Sequence, residues 1–387
     1  MKKIKLGDAC EILNGFAFKS ENYVGSGIRV IRISNVQKGY IEDNTPAFYP
    51  LETKGIEKYM LEEGDLLISL TGNVGRVAIL EKEFMPAALN QRVACLRLKT
   101  DKLSKRYLFH ILNSDFFEKQ CIQYSKGVAQ KNMSTAWLKD YEILLYSKEQ
   151  QELIADILDK MHLIKKLRYY ELQKLDELVK ARFVEMFGDP VENTMNWPEI
   201  FIGDKCFVTK LAGFEYTQYI DYEESGEVVM VKAQNVKNGK LNRKDLSFIS
   251  KKVSDSLPRS QLAPGDVVMT YVGANIGDVA VIDDVYKYHL APNVAKIRPN
   301  AEVYNSIYFM YMLMLLNIYI VKNSADTAKA ALGMEKIRKL KVFIPPLELQ
   351  NQFASFVEEI DKSRSRIQKS LEASQELFDS LMQEYFG

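Results

Sequence analysis

At 387 residues the chain is longer than one ordinary domain, and a composition 47% hydrophobic and 27% charged is that of a globular protein. Its 52 basic and 51 acidic residues leave a net charge of only +1, without the basic excess that phosphate neutralisation usually shows. Four cysteines (Cys10, Cys95, Cys121, Cys206) lack metal or redox spacing, so reduced thiols in a cytoplasmic protein are expected.

The opening run, MKKIKLGDACEIL, reaches Gly7 and Asp8 before any apolar stretch of signal-peptide length, and no secretory signal is readable. Short β-type runs come next, among them Val30-Ile31-Arg32-Ile33 and Leu66-Leu67-Ile68-Ser69-Leu70, separated by glycine turns and then by helical segments. From about Lys148 to Phe187 there is no Gly or Pro, and apolar residues recur at Ile154, Ile157, Met161 and Ile164, then at Leu172, Leu175, Val179, Phe183 and Met186. That spacing predicts one long amphipathic helix, with a slip of its apolar stripe near Arg168. Strand-like Val228-Val229-Met230-Val231 opens a second series. The most apolar segment, Ile307 to Val321, would span about 22 Å as a helix, short of the ~30 Å of a bilayer core, so a buried helix is expected and no membrane partner. Pro345-Pro346 sets the start of a second long helix, with apolar residues at Phe353, Phe356, Ile360, Ile367, Leu371, Phe378, Leu381 and Tyr385.

The two series are copies of one module. Asn35-Val36-Gln37-Lys38-Gly39 matches Asn235-Val236-Lys237-Asn238-Gly239, and Gly64-Asp65 matches Gly265-Asp266. The Gly72 to Ala78 run matches Gly273 to Ala280 with one insertion, and each half closes on Phe-Gly, at Phe187-Gly188 and Phe386-Gly387. Each copy reads as an α+β globule and then a long helix. A lone helix of this length cannot bury its stripe on a small globule's edge, whereas two can bury each other; two separate helices, each on its own domain, is the alternative.

Globule, long helix, globule, long helix resembles the specificity subunits of type I restriction-modification enzymes, over essentially the whole chain. The resemblance is carried by the repeat, by Leu6-Gly7-Asp8-Ala9-Cys10-Glu11-Ile12-Leu13-Asn14-Gly15, by the Gly-Asp strand with its adjoining glycine turn, by Lys126 to Met133, and by Pro345-Pro346-Leu347-Glu348-Leu349-Gln350. The chain departs from the pattern at Tyr146-Ser147, where the second copy has the double proline, and at Ala325 to Leu332, which barely matches Gly127 to Met133. The resemblance implies two target-recognition domains, residues 1–147 and 189–345, alternating with two antiparallel, coiled-coil-like helices, 148–188 and 346–387, in a pseudo-two-fold repeat. It further implies that each domain reads one half of a split, asymmetric site in double-stranded DNA, with the helices as spacer. The helices would dock two modification (methyltransferase) subunits, which restriction subunits join. S-adenosylmethionine, ATP and Mg²⁺ would belong to those partners, and this chain would hold no cofactor.

Enzyme motifs are missing. There is no Gly-x-x-x-x-Gly-Lys-Ser/Thr loop for a nucleotide and no Asn-Pro-Pro-aromatic segment for a flipped adenine. None of the three histidines, His110, His162 and His289, has ligand spacing with another His or Cys. His110 reads as a core residue and His162 as a solvated or interface one. A self-sufficient methyltransferase or nuclease, and a helical scaffold unrelated to DNA, are the competing readings.

Base edges are read by Arg, Lys, Asn and Gln on exposed loops. In the first globule this selects Asn73 and Arg76, the Asn90-Gln91-Arg92 turn, and the Ser125 to Asn132 loop with Lys126, Gln130, Lys131 and Asn132. In the second it selects Lys232, Gln234, Asn235, Asn275, Asn293 and Lys329. Against each stands the plainer role of a solvated loop residue or a strand cap. The copies differ at most of these positions, which predicts an asymmetric target. The basic residues of the first long helix (Lys160, Lys165, Lys166, Arg168, Lys174, Lys180, Arg182) read as a solvated face, with contact to spacer DNA or a partner as the alternative.

Overall fold

A computed structural model describes residues 2–125, 132–324 and 331–386. It divides into two compact units: residues 1–168 with 369–387, and residues 169–368. The slip in the apolar stripe near Arg168 thus falls where the first unit gives way to the second.

In the first unit a four-stranded antiparallel sheet has the order Cys10–Asn14, Val93–Leu98, Leu66–Ser69, Val77–Ile79. A three-stranded sheet has the order Phe48–Tyr49, Ile28–Ile31, Ala87–Leu89, the last two strands parallel. The second unit repeats both. Its antiparallel sheet runs Cys206–Lys210, Val294–Pro299, Val267–Thr270, Val279–Val281, and its mixed sheet runs Phe248–Ile249, Val228–Val231, Lys287–Leu290, Gln261–Leu262. The two-copy α+β organisation expected from the repeat is therefore present.

The central strand explains why a continuous apolar run lies just after each Gly-Asp. Side chains alternate across a strand, so Leu66 and Ile68 enter the core beneath the helices while Leu67 enters the core between the sheets. Val267 and Met269 against Val268 divide in the same way. A strand buried on both faces has no polar face to show.

The long helices are Lys148–Phe187 and Leu347–Phe386, and each contributes one end to each unit. Ile154 and Leu158 of the first share a core with Phe386 of the second, and the Lys165 ammonium lies 4.7 Å from the Phe378 ring centroid. At the opposite ends, Phe183 and Phe187 pack edge-on to Phe353, with centroids 5.4 and 5.6 Å apart. The helices are thus antiparallel. Ile164, expected on the buried stripe, is 40% exposed. The buried run of the first unit ends at Met161, and the next fully buried stripe residue is Val179.

Each helix is pinned to its globule by a buried glutamine. Gln151 Oε1 accepts from Ser104 N–H at 2.8 Å, and its amide donates to the Lys102 and Tyr146 carbonyls, both at 2.9 Å. Gln350 accepts from Asn305 N–H at 2.9 Å and donates to Val303 and Pro345 at 3.0 and 2.8 Å. Both side chains are wholly buried with both ends satisfied, which is why a glutamine stands three residues into each helix. His110 is buried and bonds Asp159 of the first helix at 2.7 Å, while Arg106 pairs with Asp156 and Asp159. His162 is exposed. Burial pushes the thiols of Cys10, Cys121 and Cys206 up to about 12, so they stay protonated and inert.

Candidate nucleic-acid interface

Backbone bonds gather sequence-distant loops at one end of each antiparallel sheet. In the first unit Leu70 N–H donates to the Arg92 carbonyl at 2.9 Å, and Met133 N–H donates to the Leu70 carbonyl at 2.8 Å. Thr71 bridges to Asn132. Gln91 N–H reaches the Phe16 carbonyl at 2.9 Å, and Asn90 N–H reaches the Ile31 carbonyl at 3.2 Å. The turns at 70–76 and 89–93, the ends of two strands and residue 132 therefore share one edge. A Cβ on Gly15 would lie 2.2 Å from the Asn90 carbonyl, so glycine alone lets that crossing occur.

The second unit builds the same edge. Tyr271 N–H donates to the Asn293 carbonyl at 2.9 Å, Leu332 N–H to the Tyr271 carbonyl at 2.8 Å, and Ala291 N–H to the Val231 carbonyl at 3.2 Å. Val272 bridges to Ala331. Met133 and Leu332 are thereby equivalent, a match that sequence alone hardly shows.

Burial and bonding sort the predicted residues. Asn73, Gln91, Arg92 and Asn132 are exposed, as are Gln234, Asn275 and Asn293. Their side chains have no hydrogen-bond or ion-pair partner among the described residues, so their donors and acceptors are open to a ligand. Arg76 and Lys232 are half-buried and partly engaged. Arg76 bonds the Gln37 side chain, and Lys232 bonds Ser247 with its ammonium 4.8 Å from the Tyr222 ring centroid. Asp278 takes the place of Arg76 in the second unit, and burial raises its carboxyl against the pull of the Lys237 ammonium.

Asn90 and Asn235 do structural work instead. Asn90 is 9% exposed, and its Oδ1 accepts from Arg92 N–H at 3.2 Å. Asn235 is 2% exposed, accepts from Lys232 N–H at 3.1 Å and donates to the Asn242 carbonyl at 2.9 Å. Asn35 holds the same place in the first unit, donating to the Glu42 carbonyl at 2.9 Å. The Asn-Val motif is therefore a loop clamp. Lys126, Gln130, Lys131 and Lys329 lie outside the described residues.

Sequence reasoning missed three residues at this edge. Asn14 and Lys210 are exposed at the ends of equivalent strands, opposite Ala94 and Ala295, and Lys210 lies 5.4 Å from the Tyr271 ring centroid. Arg32 is the counterpart of Lys232 and reaches Thr45. Only strand pairing, which apolar patterning does not reveal, places them here.

No group of His, Cys, Asp and Glu among the described residues could hold a metal ion, and no helix there is long and apolar enough to cross a membrane. The family model for the type I restriction modification DNA specificity domain matches twice, over residues 1–176 and 195–375. The chain belongs to that family. It is a specificity chain, non-catalytic, whose task is DNA sequence recognition. The specificity subunit of the EcoBI type I restriction enzyme of Escherichia coli is 23% identical over 396 aligned positions, covering 95% of this chain and 81% of that protein. A putative MjaX specificity subunit of Methanocaldococcus jannaschii is 23% identical, covering 95% and 89%. In fold the chain resembles the crystal structure of a type I S subunit from M. genitalium, with a TM-score of 0.59 at 15% identity, covering 100% of this chain and 96% of that one.

Proposed function

We propose that this specificity chain reads a bipartite, asymmetric sequence in double-stranded DNA, one half-site for each unit. The observation that carries this reading is the edge built twice from the same backbone bonds and furnished with different free side chains. Asn73, Gln91, Arg92 and Asn132 stand on the first, and Asn275 and Asn293 on the second, beside the exposed Lys210 that lies over the Tyr271 ring. One framework with two sets of donors and acceptors reads two different sequences.

The domains would be residues 1–147 and 189–345, and the helices 148–188 and 346–387 would set the unread spacer. Two methyltransferase subunits would dock on the helices, supported by the exposed Leu163, Leu167, Leu178 and Val184 of the first. Restriction subunits would join them, and S-adenosylmethionine, ATP and Mg²⁺ would act on those partners. A net charge of +1 fits this division, with partners supplying much of the attraction to phosphates. The test is sequencing of methylated bases after co-expression with the partner methyltransferase. A gapped motif with two unlike halves is expected, and a continuous or palindromic motif would overturn the reading. Methyl transfer by the chain alone would restore the enzyme alternative.

A further inference from the structure

The two recognition edges can be compared position by position, and one position stands apart. Arg92 and Asn293 are structurally the same residue: each carbonyl accepts, at 2.9 Å, the N–H that opens the glycine turn, from Leu70 in one unit and Tyr271 in the other. Each begins the run into a sheet strand, at Val93 and Val294. Each is exposed, with a side chain that has no partner among the described residues.

The backbone around this position is held rigidly. Val93 N–H bonds the Asn90 carbonyl at 2.9 Å, and the Asn90 side chain caps Arg92 N–H. In the second unit Asn293 itself takes a positive φ of 69°, a conformation that asparagine tolerates better than most residues. A free side chain on a fixed backbone suits selection, because its donors and acceptors are open to a base and only the side chain, not the loop, must be ordered on binding. The neighbouring pairs do not distinguish the units in this way: Asn73 and Asn275 are free but the same residue in both, while Arg76 bonds Gln37 and Asp278, its counterpart, is an acid unsuited to facing phosphates.

Resting on the function proposed above, we infer that this position chooses the base: Arg92 selects a guanine in the half-site of the first unit, and Asn293 an adenine in that of the second. The chemistry comes from the shape of the groups. A guanidinium fork donates two parallel hydrogen bonds to O6 and N7 of guanine, which adenine cannot accept. A carboxamide accepts from N6 and donates to N7 of adenine, which guanine does not match. Lys210, opposite Ala295 near Asn293, supplies a phosphate charge that Asn14 does not supply in the first unit.

The experiment uses the full chain co-expressed with its methyltransferase partner and reads the methylated motif of wild type, Arg92→Asn, Arg92→Lys and Asn293→Arg. Arg92→Asn should lose preference for one G·C pair in one half-site, with discrimination falling roughly 10- to 100-fold, and leave the other half-site untouched. Asn293→Arg should alter one A·T position in the other half-site alone. Arg92→Lys keeps the charge without the planar fork, so it should keep only part of the guanine preference. A loss of affinity uniform across sequences in Arg92→Asn, with base preference kept, would make Arg92 a phosphate contact and overturn the inference. An unchanged motif in folded, DNA-binding variants would also overturn it, yet leave the bipartite reading intact. A wild-type motif without two halves would remove the reading beneath it.

Discussion

Asp65 and Arg97 face each other in a two-bond clasp, Arg97 Nε and Nη2 donating to the two carboxylate oxygens at 2.9 and 2.7 Å. Arg298 clasps Asp266 in the same way, at 2.5 and 2.7 Å. Each aspartate also accepts from the backbone N–H three residues before it, Glu62 or Ala263, at 2.8 Å. The Gly-Asp motif is thus a joint: its carboxylate closes the turn before the central strand and ties that turn to the neighbouring strand. The aspartate side chains are 6% and 1% exposed, so water cannot replace the arginine.

Asp65→Ala and Asp266→Ala should therefore each cost about 2–3 kcal/mol, since each leaves a turn N–H without its acceptor and unties the turn from the neighbouring strand, although Arg97 keeps the Met60 carbonyl and Glu62, and water reaches Arg298. In units of this size that is a fall in melting temperature on the order of 5–15 °C. Circular dichroism melts of the two variants check this, and unchanged melting would show that the clasp is incidental to stability.

A second prediction concerns acid. His289 is fully buried, and its Nδ1 lies 3.0 Å from the Leu290 carbonyl. Burial pushes its pKa below the ordinary value, helped by the nearby Lys296 charge. The folded pKa lies below that of the unfolded chain, so the unfolded state holds the extra proton in the window between them. The stability gained by keeping His289 neutral is complete above about pH 6.5 and is lost as the pH falls through that window. His110 adds to this in the same direction, with burial outweighing its bond to Asp159. His289→Leu should flatten the decline in melting temperature between about pH 7.5 and 5.5 relative to wild type. An equal decline in both would place the acid sensitivity elsewhere.

Much of this architecture was legible because repetition and periodicity report directly on burial. The first long helix was expected from about Lys148 to Phe187 and occupies that span, since a forty-residue run without Gly or Pro has no internal stop. The recognition edge was only partly legible. Asn73, Arg92 and Asn293 are readable as exposed loop residues because they stand outside the apolar runs. Asn90 and Asn235 satisfied the same rule but cap their own loops, which depends on partners such as the Arg92 N–H and the Asn242 carbonyl. Lys210 went unseen because it ends a strand, where only the pairing with Ala295 fixes its place.

A third prediction rests on how the first unit is completed. Phe378, Leu381, Met382, Tyr385 and Phe386 come from the end of the chain and cover the core around Tyr107, Ile154 and Leu158, with the Tyr107 and Phe386 rings 5.7 Å apart. A fragment of residues 1–188 lacks that cover and exposes an apolar stripe, at ~25 cal/mol for each Å². It should dimerise through its own long helix at micromolar concentration and, with the methyltransferase partner, recognise a symmetric site made of two first half-sites. Sedimentation velocity decides the first point, and a strictly monomeric, folded fragment would defeat it.

The last prediction concerns the spacer. If the lengths of the two long helices set the number of unread base pairs, lengthening both by one turn should change that number and nothing else. Four added residues extend a helix by about 6 Å and rotate the chain beyond the insertion by about 40°. One base pair advances about 3.4 Å along DNA and turns it by about 35°. The rotation matches one extra base pair, while the extension falls between one and two. Matched insertions near Lys166 and Arg366 should therefore preserve both half-sites and shift the preferred gap by one base pair, or by two if the helices run nearly parallel to the DNA axis. Binding of the assembled complex to duplexes differing only in gap length gives the answer. An unchanged preference would free the helices from setting the distance, and altered half-sites would show that the two units do not read independently.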